Sequence, residues 1–185
     1  MNYLIFRTDR IGDFLITAPL IHSIHRSEPK SKIYIVASNK NKKFIESFEF
    51  IEKIFILKSN KLLDRIKLFI ELKRYKFDNI IVSDKKNRSI FFSFMLKAKN
   101  KLFNVSKLSQ KKILDKINKN VFLDNDNMKN KPIKKILTEN CKSLKFNLLD
   151  EDFHYLKKDK FKSKFLHNDV LNIDKLDYVI FHYDE

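Results

Sequence analysis

Short continuous apolar runs alternate along the chain with segments whose apolar residues recur every three or four positions. The runs YLIF (3–6), KIYIVAS (32–38), KIFILK (53–58) and FDNIIVS (77–83) predict strands buried on both faces. KLFNVS (101–106) is a weaker fifth run, and DYVIFHY (177–183) is a sixth. Between them lie helical patterns. Phe14, Leu15, Ala18, Ile21 and Ile24 predict a helix over 14–26. Pro19 leaves two readings there: Thr17 caps a helix with Pro19 in its first turn, or the helix starts at Asp13 and kinks. Further helices are predicted over 41–48, 61–75, 88–98 and 131–144. Residues 105–130 are polar and irregular and predict a long surface excursion.

Strands alternating with helices at this spacing predict right-handed βαβ units and a parallel sheet. The expected fold is α/β: a Rossmann-like parallel sheet with helices on both faces, over residues 1–168. Residues 169–185 carry the last apolar run, which is expected to begin a further unit of a longer protein.

Composition fits a folded chain, with 43% hydrophobic residues, 18 of them Phe, and 34% charged. The formal net charge of +16 by itself suggests nucleic acid or an anionic membrane surface. Only six of the 39 basic residues are arginine, however, at positions 7, 10, 26, 65, 74 and 88. Lys, Asn, Ile and Phe are abundant while Gly, Pro, Ala and Trp are scarce, as A/T-rich codons produce. Nucleic acid is discounted as a partner on that ground, since base-edge readers favour arginine. The lone cysteine, Cys141, permits no intrachain disulfide and fits a reducing compartment. No run reaches the ~18 apolar residues of a membrane span. A cytoplasmic location is expected.

Gly12 is the only glycine in the chain, where ordinary usage would give about 13. It lies in RTDRIGD, the turn between the first strand and the first helix. Ligands of open parallel sheets bind beyond the carboxyl ends of the strands, where this turn falls. Gly12 is expected to take a positive φ, or to let another backbone or a ligand approach closely. Asp13 stands at the helix start. As an ordinary N-cap it would accept the free N–H groups there. Placed at a ligand edge, it can also take a proton from a sugar hydroxyl late in a transfer, as that oxygen becomes acidic. The turn has neither the three glycines of a dinucleotide fingerprint nor a Walker A loop.

The stretch YLIFRTDRIGDFLITAPLIHSIHRSEPKSKIYIVAS resembles the amino-terminal end of glycosyltransferase family 9, the heptosyltransferases of lipopolysaccharide core synthesis. That family opens with a hydrophobic strand, an R-x-D-R-x-G-D-like turn and an LxTxPxxxxL helix; here the last two read RTDRIGD and FLITAPLIHSI. A looser likeness continues through YKFDNIIVSDKKNRSIFFSFML. The resemblance implies the N-terminal, acceptor-binding half of a two-domain GT-B fold, with 169–185 as the interdomain linker and first strand of a C-terminal nucleotide-sugar-binding domain. It implies inverting, metal-independent transfer of heptose or a related sugar from an ADP-activated donor, ADP-heptose or a relative, held by that second domain, with no other cofactor. The acceptor would be a membrane-anchored saccharide carrying phosphates. The family's catalytic base falls on Asp13. Thr8, Asp9, Arg10 and Gly12 would line the cleft, and Lys85, Lys86, Arg88 and Ser89 would face acceptor anions. The chain departs from the pattern at YVIFHYDE, which has His182 but neither the proline nor the glycine of the family's H-P-G turn. It is expected to transfer no sugar without the second domain.

Other candidates are weaker. His22 and His25 lie three apart, with no carboxylate or cysteine at metal-ligand spacing. DNDN (124–127) lacks the glycine and glutamate of a calcium loop. Cys141 reads as a small buried side chain on a helix. The 61–76 segment sets Lys61, Arg65, Lys67, Lys73, Arg74 and Lys76 around an apolar stripe. It reads as a helix packed on the sheet with a wet basic face, or as a peripheral contact with anionic lipid of the inner membrane leaflet. Two other classes of function stay open: a non-catalytic basic module for phosphorylated glycan or nucleic acid, and an inactive remnant.

Overall fold

The computed structural model describes residues 1–59, 61–117, 120–123 and 133–154. The expected strand over 177–183, His182, the DNDN segment, the unit boundary at 168 and the whole of 169–185 lie outside the described residues.

The described residues form a parallel sheet of six strands: β1 (Asn2–Phe6), β2 (Lys32–Ala37), β3 (Ile51–Ile56), β4 (Asn79–Val82), β5 (Asn100–Val105) and β6 (Val121–Leu123). Their spatial order is β3-β2-β1-β4-β5-β6. The chain therefore builds outward from β1 to β3, returns across the sheet, and builds outward again from β4 to β6. Period-two alternation explains the continuous apolar runs. Tyr3 and Ile5 of β1, with Ile33 and Ile35 of β2, enter one core. Leu4 and Phe6, with Tyr34 and Val36, enter the other.

Helices α1 (Ile11–Ser27) and α6 (Ile133–Ser143) cover the first face through Phe14, Ile21, Ile24, Leu137 and Cys141. Helices α3 (Leu62–Lys73), α4 (Asn87–Met95) and α5 (Leu108–Leu114) cover the second through Leu68, Leu72, Ile90, Phe92 and Leu114. A short α2 (Lys42–Ile45) joins β2 to β3.

Three expectations change. Helix α1 begins at Ile11 with Arg10 as its N-cap and runs through the buried Pro19, so neither Thr17 nor Asp13 starts it. The excursion expected over 105–130 contains α5 and β6, the latter paired parallel to β5. These edge elements bury little: Leu114 is the buried residue of α5 and Val121 that of β6. Their apolar period is too thin to stand out from the lysines. On α3, Leu68 and Leu72 meet the sheet, while Leu62 and Leu63 stay 69% and 70% exposed.

The end of the described chain is tied to α1 by charge. Asp152, in the 3₁₀ turn Asp150–His154, is fully buried. It accepts Arg26 Nε and Nη2, both at 2.9 Å, and the Leu149 N–H at 2.8 Å, and it meets His22 Nδ1 at 3.1 Å. The carboxylate missing near His22 in sequence thus arrives from 130 residues away, as a hydrogen-bond partner. Burial pushes the Asp152 carboxyl upward, but the hydrogen bonds from Arg26, Leu149 and His22 together outweigh it and hold it below the usual range. Cys141, also buried, has its thiol pushed up to about 11 by burial and lies 3.3 Å from Ser23 Oγ.

A carboxyl held low in the folded state stabilises it above its unfolded pKa of about 3.9, and that stability is lost as pH falls through the folded value. Asp152→Asn is expected to cost on the order of 1–3 kcal/mol at pH 7. The difference from wild type should be smaller at about pH 3 than at pH 7, since this stability fades as pH falls toward the lowered folded value. Urea titrations at both pH values check this; equal midpoints at pH 7 would contradict it.

Candidate functional site

The strand order reverses between β1 and β4, and their carboxyl ends carry the two segments singled out from sequence. After β1 comes Arg7–Arg10, leading into α1. After β4 comes Ser83–Lys86, leading into α4. Lys85 there takes a left-handed backbone, φ 56°. This is the crevice in which doubly wound folds place their ligands.

Arg7 organises it. Its side chain is 5% exposed. Nε donates to the Asp13 carbonyl at 2.7 Å, Nη2 donates to the same oxygen, and Nη1 donates to the Ser83 carbonyl. Nη1 also pairs with Asp9 Oδ2 at 3.3 Å. The Arg7 main chain is held as well: its N–H donates to the Val36 carbonyl, and its carbonyl accepts the buried Asn41 amide at 2.8 Å. One guanidinium thus joins the start of α1, the end of β4 and the intervening turn.

Asp13 is the third residue of α1. One carboxylate oxygen reaches back to the Arg10 N–H at 3.3 Å, and the other lies 3.8 Å from Arg7 Nη2. Its side chain remains 42% exposed. The ordinary helix-start role and access to ligand therefore coexist. Gly12 departs from expectation: it sits in α1 without a positive φ, and a Cβ built on it would meet nothing within 4 Å. Neither a left-handed turn nor a crowding neighbour requires glycine, and the space beside it is open. A helical glycine costs roughly 1 kcal/mol against alanine.

Behind the turn, Asp84 is buried. Its Oδ2 accepts the Thr8 hydroxyl at 2.6 Å and the Ser89 hydroxyl at 2.7 Å. Thr8 Oγ1 in turn accepts Arg88 Nη2 at 3.1 Å and Lys86 Nζ at 3.3 Å. Asp9, Asp13 and Asp84 thus gather around the turn. Burial pushes the Asp9 carboxyl above its usual value; the Arg7 guanidinium pulls it back, and the charges of Asp13 and Asp84 add to the rise.

Two clefts open here, and Asp13 lines both. The larger, about 570 Å³, is bounded by Thr8, Asp9, Arg10 and Asp13, by Ser38–Lys40 after β2, by Leu57–Ser59 after β3, and by Lys86 and Arg88. Arg10, Lys40, Lys58, Lys86 and Arg88 outnumber its two carboxylates, so it presents a basic wall to an anionic ligand. The smaller, about 280 Å³, is lined by Arg7, Asp13, Ile16, Thr17, Ser83, Lys85, Asn104 and, from α6, Ile133, Ile136 and Leu137.

The residues expected from sequence therefore divide. Thr8, Asp9, Arg10, Asp13, Lys86 and Arg88 meet at the larger cleft, whereas Lys85 lines the smaller one. Ser89 faces neither cleft: it is 1% exposed, and its hydroxyl bonds Asp84, so it braces the wall from behind. Asp84, Asn41 and Lys58 are not among the residues expected from sequence. Arg7 was readable as an arginine directly after a buried strand, a position where a charge needs partners. Asp84 lay inside the charged run SDKKNRS with nothing in its spacing to set it apart. Among the described residues, no cluster of three or more His, Cys, Asp or Glu is placed to hold a metal ion.

No protein-family model matches the sequence, and comparison with curated proteins found no match. Solved structures do match. E. coli heptosyltransferase WaaC with ADP-2-deoxy-2-fluoro heptose aligns with a TM-score of 0.62 at 13% identity, covering 81% of this chain and 50% of that one. WaaC with ADP gives 0.61 at 13%, over 81% and 49%. E. coli ADP-heptose lps heptosyltransferase II gives 0.52 at 12%, over 69% and 36%. The chain spans half or less of the length of these enzymes. Over that span it has the Rossmann-like α/β fold of GT-B glycosyltransferases.

Proposed function

We propose that the chain is the acceptor-binding part of a heptosyltransferase-like enzyme. In this reading a sugar moves with inversion from an ADP-activated donor to a saccharide of the lipopolysaccharide-core type. The observation that carries it is the partly exposed Asp13 carboxylate, fixed at the edge of two clefts on a heptosyltransferase-like fold. An acceptor hydroxyl attacks the anomeric carbon, the bond from that carbon to the leaving diphosphate breaks, and Asp13 takes the hydroxyl proton as the new C–O bond forms. Arg7 holds the Asp13 backbone, so the carboxylate sits where the helix start puts it. Arg10, Lys40, Lys58, Lys86 and Arg88 would receive the phosphates or other acidic groups of the acceptor. The diphosphate of the donor is assigned to a second domain of the whole enzyme.

Among the described residues no helix is long and apolar enough to cross a membrane. A membrane-anchored acceptor therefore implies surface contact, and α3 has the chemistry for it. Leu62, Leu63, Ile66 and Ile70 are exposed beside the exposed Lys61, Lys67 and Lys73. We assign this face to anionic lipid.

Two measurements follow. In the full-length protein, Asp13→Asn should lower kcat/KM by about 10²–10⁴ with an unchanged melting temperature. Turnover near wild type would remove Asp13 from the base role. In co-sedimentation, the protein should bind phosphatidylglycerol vesicles and not phosphatidylcholine vesicles, and a Leu62→Ser, Leu63→Ser double variant should lose at least about tenfold in affinity, the ~1.4 kcal/mol expected from partial burial of two leucines. Equal binding to both vesicle types would sink the lipid assignment.

A further inference from the structure

A further cavity lies at the opposite edge of the sheet from Asp13. It is built where α3 hands over to β4 and α4 hands over to β5, at the amino ends of those strands. Its volume of about 570 Å³ is that of an ordinary ligand pocket. The buried Phe77 and Leu96 line it, with Tyr75, Met95 and Ala98 beside them. Lys73, Lys76, Lys97 and Lys99 complete the lining, and among the described residues no carboxylate belongs to it.

The acids on the neighbouring turns are already engaged. Glu71 pairs with Lys53 at 3.0 Å, and Asp78 pairs with Lys99 at 2.9 Å. Lys73 Nζ lies over the Phe69 ring, 5.2 Å from its centroid. Among the described residues, the exposed ammonium groups of Lys76 and Lys97 make no ion pair or hydrogen bond. Like charges gathered around one apolar hollow favour an anion between them.

The body of that anion follows from what the walls lack. Among the described residues no Ser, Thr, Asn or Gln lines the cavity, and the Tyr75 hydroxyl already accepts Lys53 Nζ at 3.0 Å. The main chain is committed as well. The N–H groups of Tyr75, Leu96 and Lys99 donate to the Leu72, Phe92 and Asp78 carbonyls, and the Lys76 carbonyl accepts the Asn2 side-chain amide. A sugar, a base or a peptide would give up its hydrogen bonds to water here and regain few. Hydrocarbon gives up none, and gains contact with Phe77, Met95 and Leu96.

We propose that this cavity binds a single-chain anionic amphiphile of the fatty-acid type. Lys76 and Lys97 receive its carboxylate, and Phe77, Met95 and Leu96 cover its alkyl chain. The site is separate from the Leu62–Leu63 face, which opens α3; the cavity meets that helix at Lys73, roughly 16 Å further along its axis. Residues of the two Asp13 clefts take no part, so the inference does not depend on sugar transfer being the reaction.

Isothermal titration calorimetry on the chain tests this, with sodium decanoate below its micelle concentration as the probe. Decanoate should bind at one site per chain, at least about tenfold more tightly than hexanoate, which has four fewer methylenes to bury. Neutral decanol should bind at least about tenfold more weakly than decanoate. A Lys76→Ala, Lys97→Ala double variant, and separately Met95→Glu, should each lose at least about tenfold in decanoate affinity with an unchanged melting temperature, since all three side chains are exposed. A Lys112→Ala, Lys116→Ala control removes the same charge from α5 and the turn after it, and should bind as wild type does. If decanoate does not bind, occupies several equal sites, or is matched by hexanoate or decanol, the assignment is wrong. It is equally overturned if the control loses as much affinity as the Lys76, Lys97 pair, or if Met95→Glu binds undiminished. Co-sedimentation separates the two lipid sources: Met95→Glu should keep its binding to phosphatidylglycerol vesicles. Loss of that binding would make the cavity part of a membrane-facing surface and would overturn it as a fatty-acid site.

Discussion

The site depends on one buried charge. Arg7 leaves β1 pointing into the seam between the two halves of the sheet, where an isolated guanidinium would be prohibitively expensive. It is tolerated because three groups converge on it: the Asp13 carbonyl, the Ser83 carbonyl and the Asp9 carboxylate. The planar fork matters, since a single ammonium could not reach all three directions at once. In satisfying itself, Arg7 fixes the start of α1 relative to the end of β4. That relation sets where Asp13 stands, and Asp13 in turn divides the crevice.

A division of labour results. On the β2–β3 side, basic residues from four separate turns face a wide cleft. On the β5–α6 side, a narrower cleft sets Ile16, Ile133, Ile136 and Leu137 beside Lys85, Ser83 and Asn104. The Thr8–Asp84–Ser89 network is a brace between them. It holds the post-β1 turn against the post-β4 turn, and it orients Lys86 and Arg88 toward Thr8.

Periodicity revealed the first four strands and the helices between them to within a few residues, because each buries a full apolar face. The strand order was not readable, since periodicity says nothing about which strands are neighbours, and so the switch point became visible only in three dimensions. Elements α5 and β6 were hidden because an edge strand and its lysine-rich helix bury so few side chains. Asp13 was legible through its motif. Asp84 was not, because its role depends on Thr8, 76 residues away, and Arg7's hold on the Ser83 carbonyl was hidden by the same separation. Gly12 stands out as the lone glycine; of the reasons its position allows, a positive φ is absent, and no protein atom comes within 4 Å of a Cβ built there.

The most direct measurement is the unfolding free energy of Arg7→Met by urea titration at pH 7. Methionine keeps much of the side-chain volume but leaves Asp9 and two carbonyls without their donor. The account predicts a loss of about 3–5 kcal/mol, the usual cost of breaking a buried ion pair from one side. A loss under about 0.5 kcal/mol, the range of a neutral surface substitution, would contradict it.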